Sequence, residues 1–171
     1  MHAYTLLILA VVGERIIELL VARRNAAWTL ARAGVEHGRG HYPVMVVLHA
    51  AFLAGCLLEP QLAHRQFLPA LGWPMVALVV VAQALRWWCI TVLGRYWNTR
   101  VIVVPGSRLV AAGPYRFLRH PNYVAVVLEI MALPLVHSAW LTATAFTVAN
   151  ALLLTVRIRC ENTALAQATT A

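Results

Sequence analysis

The chain has 171 residues, 61% of them hydrophobic and only 12% charged, with a mean hydropathy of +0.72. Soluble domains run at about 45–50% apolar and about 25% charged residues, so this composition excludes an ordinary soluble fold. It points instead to a bilayer, whose ~30 Å hydrocarbon core is crossed by apolar runs of about 20 residues. The formal charge of +8 is carried entirely by fourteen Arg, with no Lys and no Asp. No basic helix or aromatic-basic ribbon stands outside the apolar runs, which argues against a nucleic-acid partner. Cys56, Cys89 and Cys160 are scattered without a CxxC pair, so neither a disulfide scaffold nor a metal site is expected.

Apolar runs fall at about 2–22, 43–58, 69–94, 123–136 and 140–156. The first lacks a basic leader, is interrupted by charges and is followed by Arg23 and Arg24, so it reads as a spanning helix and not as a signal peptide. Within it Glu14, Arg15 and Glu18 share one face. Ionisable groups are expensive in hydrocarbon, and these three serve either as helix-to-helix ion pairs or as part of a site. The second and fourth runs are short for a span, which predicts tilt or partial burial. Arg86 lies in the third run and Glu129 in the fourth.

Between the third and fourth runs, residues 95–122 are rich in Arg, Gly and Pro. The apolar pieces at 102–105 and 109–112 are too short to cross, so this backbone lies in water or against protein. A loop of this length in so small a chain is more often functional than idle. Arg23, Arg24, Arg32 and Arg39 follow the first run, Arg95, Arg100, Arg108, Arg116 and Arg119 the third, and Arg157 and Arg159 the fifth, with Arg65 alone on the other side. The positive-inside rule then places the N-terminus outside and the C-terminus in the cytoplasm. The expected architecture is an all-α integral membrane protein of about five transmembrane helices, with a long cytoplasmic loop between helices 3 and 4. It reads as a single domain over 1–171: three helices in 1–94, the loop, a helical hairpin and an Arg/Glu segment in 95–165, and a short polar tail at 166–171.

The densest motif runs Gly113-Pro114-Tyr115-Arg116-Phe117-Leu118-Arg119-His120-Pro121-Asn122-Tyr123. Pro121 pushes His120 out of helical geometry and is itself suited to the first position of a helix. Arg119 and His120 are thus held at a helix N-terminus, where backbone N–H groups, the helix dipole and an Arg favour an anion. The same residues also suit a plain membrane-boundary turn. Farther on, Arg157 and Glu161 stand four apart on one helix face, either as a surface ion pair or as a cation and an anion at the mouth of the bundle.

The pattern Leu-Val-x-x-Gly-Pro-Tyr at 109–115, Arg-His-Pro-x-Tyr at 119–123, a helical hairpin, and Arg157-x-x-x-Glu161 resembles the isoprenylcysteine carboxyl methyltransferase family over about residues 95–165. The resemblance implies a membrane-embedded O-methyltransferase using S-adenosylmethionine. It implies cofactor contacts at Arg100, Ser107, Arg108, Leu109, Val110, Tyr115, His120, Pro121, Asn122, Tyr123 and Glu161, with Arg157 facing the acceptor. Arg100 differs in residue type from the family's side chain at that place, and Asn162 stands where a second acid often follows Glu161. In the first half, Arg24-Asn25-x-x-Trp28, Glu36-His37-Gly38, His41-Tyr42-Pro43 and His49 resemble a bacterial branch associated with type III polyketide synthases, whose members are thought to methylate alkylpyrones or alkylresorcinols.

Methyl transfer from a sulfonium mainly requires donor and acceptor to be held in near-attack geometry. A carboxylate acceptor needs only orientation, which Arg157 would give through a bidentate pair. A phenol or enol gains from a base, for which His120, Glu129, His41 or His49 is a candidate. The implied partners are a lipophilic or prenylated acceptor and the bilayer; the oligomeric state is not legible. Two other classes fit less of the pattern: an NADPH-dependent membrane reductase of the sterol type, for which the chain is short, and a non-enzymatic small membrane protein.

Overall fold

The computed structural model describes residues 1–107 and 109–170, with side chains to residue 167. Five helices carry the chain: α1 His2–Leu30, α2 His41–Leu62, α3 Pro69–Leu93, α4 Pro121–Leu135 and α5 Trp140–Thr170. Three of them, in α2, in α3 and its following turn, and in α5, are long and apolar enough to cross a membrane. The first helix has the length, at 29 residues, but carries Glu14, Arg15 and Glu18 at mid-helix. The fourth has only 15 residues, roughly 22 Å at 1.5 Å per residue.

The second helix differs from the sequence expectation. It runs 22 residues, from His41 through Pro60 to Leu62. The polar residues at both ends hid its length, and Pro60 lies inside its last turn, where its missing N–H costs the helix one hydrogen bond. The fifth helix likewise continues past Arg159 and Glu161 to Thr170, over the stretch expected as a polar tail.

The short helix α4 is the central post. It packs against α3, α5 and α2, and Tyr123, Ala125, Val126, Glu129, Ile130, Ala132 and Leu133 are all buried. The main core joins Ile130 and Leu133 to Ile8, Phe52, Cys56 and Val79 of the surrounding helices. The outward faces of α1, α2 and α3 expose Leu6, Ile17, Val47, Val80 and Val81, as lipid-facing helices do.

Outside the helices lies a two-stranded antiparallel ribbon. Val35–His37 (β1), from the α1–α2 connection, pairs with Val101–Val103 (β2), from the α3–α4 connection. Glu161 and Arg157 of α5 reach Tyr123 and the Thr99 carbonyl at the same end of the bundle. The three Arg-rich segments therefore gather at one end. Arg65 pairs with Glu59 at the other, where Glu59 also accepts from the amides of Leu141 and Thr142 at the start of α5.

Candidate functional site

The site is built where α4 begins. His120 leaves helical geometry (φ −132°, ψ 62°) and Pro121 takes the first helical position, as the His-Pro step dictates. Just before it, the 3-10 turn Gly113–Arg116 folds the loop back onto α3. Gly113 has φ +53°, and a Cβ there would lie 2.7 Å from Val92 and 3.0 Å from the Trp88 indole nitrogen, so both the backbone and the close approach require glycine. The turn sets Tyr115 beside Cys89, and burial pushes its phenol well above the ordinary value. At neutral pH it is a protonated hydrogen-bonding group and not a base.

These elements and the outer half of α5 enclose a cavity of about 450 Å³, within the range that holds a nucleotide-sized ligand. Of the residues singled out in the sequence, Arg100, Ser107, Leu109, Val110, Tyr115, His120, Asn122, Tyr123, Arg157 and Glu161 line it. Pro121 is fully buried behind the wall as the first residue of the helix. Arg108 lies outside the described residues. The Ser107 hydroxyl is turned back onto the Val104 carbonyl at 2.8 Å, which fixes the bend in that loop.

On the α4–α5 side, one network joins the polar groups. Tyr123 donates to Glu161, and the Arg157 Nε donates to the Tyr123 hydroxyl at 2.9 Å. The remaining Arg157 nitrogens reach the Met45 sulfur at 2.9 Å and the Thr99 carbonyl. The guanidinium is 6% exposed, yet among the described residues no carboxylate pairs with it. His120 stacks on Tyr123 at 5.4 Å between ring centroids. Its Nε2 lies 3.0 Å from the Asn162 side-chain oxygen and its Nδ1 3.7 Å from Glu161. If the Asn162 oxygen accepts, Nε2 carries the proton and Nδ1 is left as an acceptor.

Glu129 is elsewhere. It bonds to Arg86 and, at 3.2 Å, to Arg15, inside a cluster that also holds Glu18 at 2.6 Å from Arg15 and Gln83 at 3.0 Å. Glu14 completes it by accepting from the Trp87 indole. The ion pairing expected of the α1 trio is thus a three-helix network, and it does not line the cavity. His49 hydrogen-bonds at 2.8 Å to the Met45 carbonyl of its own helix.

The model of the isoprenylcysteine carboxyl methyltransferase family matches residues 75–167, a span that includes most of α3, the loop, α4 and all of the described cavity lining. The chain belongs to this family. An uncharacterised Bacillus subtilis protein, YpbQ, is 40% identical over 163 residues, covering 95% of this chain and 96% of that one. An uncharacterised Haemophilus influenzae protein is 25% identical over 158 residues, covering 91% and 90%. No solved structure matches. Membership makes this a membrane methyltransferase, and members of the family use S-adenosylmethionine as methyl donor.

Several lining residues were not singled out in the sequence. Trp97 and Asn98 face the cavity, as do Val101, Ile102 and Val103 of β2. The Trp97 indole nitrogen and the Asn98 and Asn122 side-chain oxygens are buried with no hydrogen-bond partner among the described residues. Buried polar atoms are ordinarily satisfied, so three orphans in one wall mark a surface shaped for a polar ligand. Uncharged residues in an irregular loop carry no periodic or charge signal, which is why they escaped notice.

Proposed function

We propose that the protein transfers a methyl group from S-adenosylmethionine to an oxygen on the acidic head of a lipophilic acceptor. The observation that carries this reading is Arg157: a buried guanidinium on the cavity wall with a phenol, a thioether and a carbonyl for partners and no carboxylate. The guanidinium reaches the Glu161 carboxylate only through the Tyr123 hydroxyl, and a buried cation gains from a direct partner, which an anionic acceptor would supply. The bidentate donor geometry of a guanidinium suits a carboxylate or an enolate.

The donor, when bound, supplies a methyl group already activated by the sulfonium. The residues present fit such a group. The orphaned Trp97 nitrogen is a donor, the Asn98 and Asn122 oxygens are acceptors, and Glu161 adds a carboxylate, so the wall offers both kinds of partner to a zwitterion with an adenine. Tyr123 holds Glu161 and Arg157 in fixed relation, keeping the anion of the donor side and the cation of the acceptor side a few ångströms apart. An ionised acceptor oxygen needs no base, and in that case His120 only lines the site. A hydroxyl acceptor would give its proton to the His120 imidazole, whose Nδ1 faces Glu161. Glu129 takes a structural part in this scheme.

By the positive-inside rule the cavity end faces the cytoplasm, with the N-terminus outside. Isothermal titration with S-adenosylhomocysteine tests the reading: binding in the micromolar range is expected, and none at high micromolar concentration would overturn it. Methylation assays with a farnesylcysteine analogue, an alkylpyrone and an alkylresorcinol then assign the acceptor class.

A further inference from the structure

We propose that Asn25, at the inner end of α1, and Glu36, in β1, are positioning residues that set the wall of the cofactor cavity without touching its contents. The proposal rests on the reading of the cavity as the methyl-donor site.

The carbonyls that end α3 have no helical partners of their own. Gly94 closes that helix with φ +53°, and the chain then makes a single 3-10 turn, Gly94–Tyr96, into the loop. Asn25, 8% exposed, donates both hydrogens of its amide into this turn, at 3.1 Å to the Gly94 carbonyl and 2.7 Å to the Trp97 carbonyl. No other uncharged side chain of that size offers two N–H groups from one atom. One helical turn on, the Thr29 hydroxyl donates to the Asn25 carbonyl at 2.7 Å and accepts from the Asn98 amide at 3.5 Å. Trp28, between them in sequence, meets Tyr96 edge-on at 5.5 Å and carries Arg95 over its ring.

The ribbon continues the same attachment. Glu36 pairs with Arg100 at 3.5 Å, and Arg100 also lies over the Tyr42 ring at 4.8 Å. Glu36 stands opposite Ile102 in the ribbon register. Four of the loop residues held in this way line the cavity: Trp97, Asn98, Arg100 and Ile102. Two of them, Trp97 and Asn98, present the orphaned polar atoms. The Asn25 and Glu36 motifs of the first half are thus accounted for by what they do to the loop of the second.

Two measurements test this. The first is hydrogen exchange of the full-length protein in detergent, with no ligand. Asn25→Ala is expected to speed exchange at residues 95–103 while α4 and α5 stay as protected as in the wild type. Unchanged protection at 95–103 would overturn the proposal. The second is titration with S-adenosylhomocysteine. Asn25→Ala is expected to raise Kd about tenfold, and loosened exchange with an unchanged Kd would also overturn it.

A global loss of protection in Asn25→Ala would leave the decision to Glu36 and Arg100. Glu36→Ala and Arg100→Ala are expected to weaken binding non-additively, the second substitution adding little to the first, because one acts through the other. Additive effects would overturn the proposal. If the wild type itself does not bind the ligand, the methyl-donor reading fails, and the brace stands or falls on exchange alone.

Discussion

Two groups of Arg and Glu side chains lie inside this bundle, about two helical turns apart along α4. In the lower group Arg15 and Arg86 are matched by Glu18 and Glu129, and Glu14 by the Trp87 indole. In the upper group Glu161 is bound to a phenol and Arg157 to a phenol, a thioether and a carbonyl. Each holds buried and half-buried members, and both combine charge with hydrogen bonding. The difference lies in whether the charges satisfy each other. Direct ion pairs tie the helices together in the lower group, although Arg15 Nε, Glu18 Oε1, Gln83 Nε2 and Arg86 Nε there make no hydrogen bond among the described residues, while Arg157 and Glu161 meet only through the Tyr123 hydroxyl.

The contrast can be broken from either side. Arg157→Ala is expected to lower methyl transfer by at least about 100-fold, the scale for removing a buried group that meets developing or bound charge, while leaving S-adenosylhomocysteine binding within a few-fold. Equal loss of both would show that Arg157 serves the donor and not the acceptor. Glu129→Ala takes from Arg15 and Arg86 the carboxylate they share and leaves both to Glu18, and is expected to cost about 3–5 kcal/mol of stability, read as a lower Tm in detergent. Glu129→Gln, if it folds with full donor binding yet loses turnover, would return Glu129 to the chemistry.

Smaller effects sharpen the comparison. Glu161→Gln removes a charge-assisted acceptor worth about 1.5–3 kcal/mol, so the Kd for S-adenosylhomocysteine should rise roughly 10- to 100-fold with little change in Tm. Arg65→Ala, at the far end, breaks a pair that is partly open to its surroundings and is expected to change stability by less than about 1 kcal/mol. A large effect there would mean that the far end matters more than its exposure implies.

The membrane class, the five helices and the clustering of Arg at one end were legible in the sequence, because hydropathy and charge are additive along a chain. The motif from Gly113 to Tyr123 was legible because Gly and Pro constrain the backbone locally, and His120, Asn122 and Tyr123 do line the cavity. Glu129 was misjudged in neighbourhood. Six residues from Tyr123 place it on the same helix, but only tertiary packing decides whether it meets the cavity or Arg86. The ribbon of Val35–His37 with Val101–Val103 was invisible, since three-residue strands carry no period and their partners lie far apart in sequence. Trp97 and Asn98 stayed silent, and Asn25 was legible only as part of a motif, for a related reason: what they do is a matter of which carbonyls and which cavity they face.

The central helix is shorter than its neighbours, and this has an energetic consequence. α5, with 31 residues, rises well past the start of α4, which has 15, so the cavity occupies a step cut into the bundle and not a bowl set on top of it. Lifting a hydrocarbon tail into water costs about 0.8 kcal/mol for each methylene, a sum that for a long chain would exceed most binding energies. For the acceptor proposed above, a recessed site makes that lift unnecessary. On that proposal the tail would stay solvated by lipid, and the water-soluble partner would make the descent.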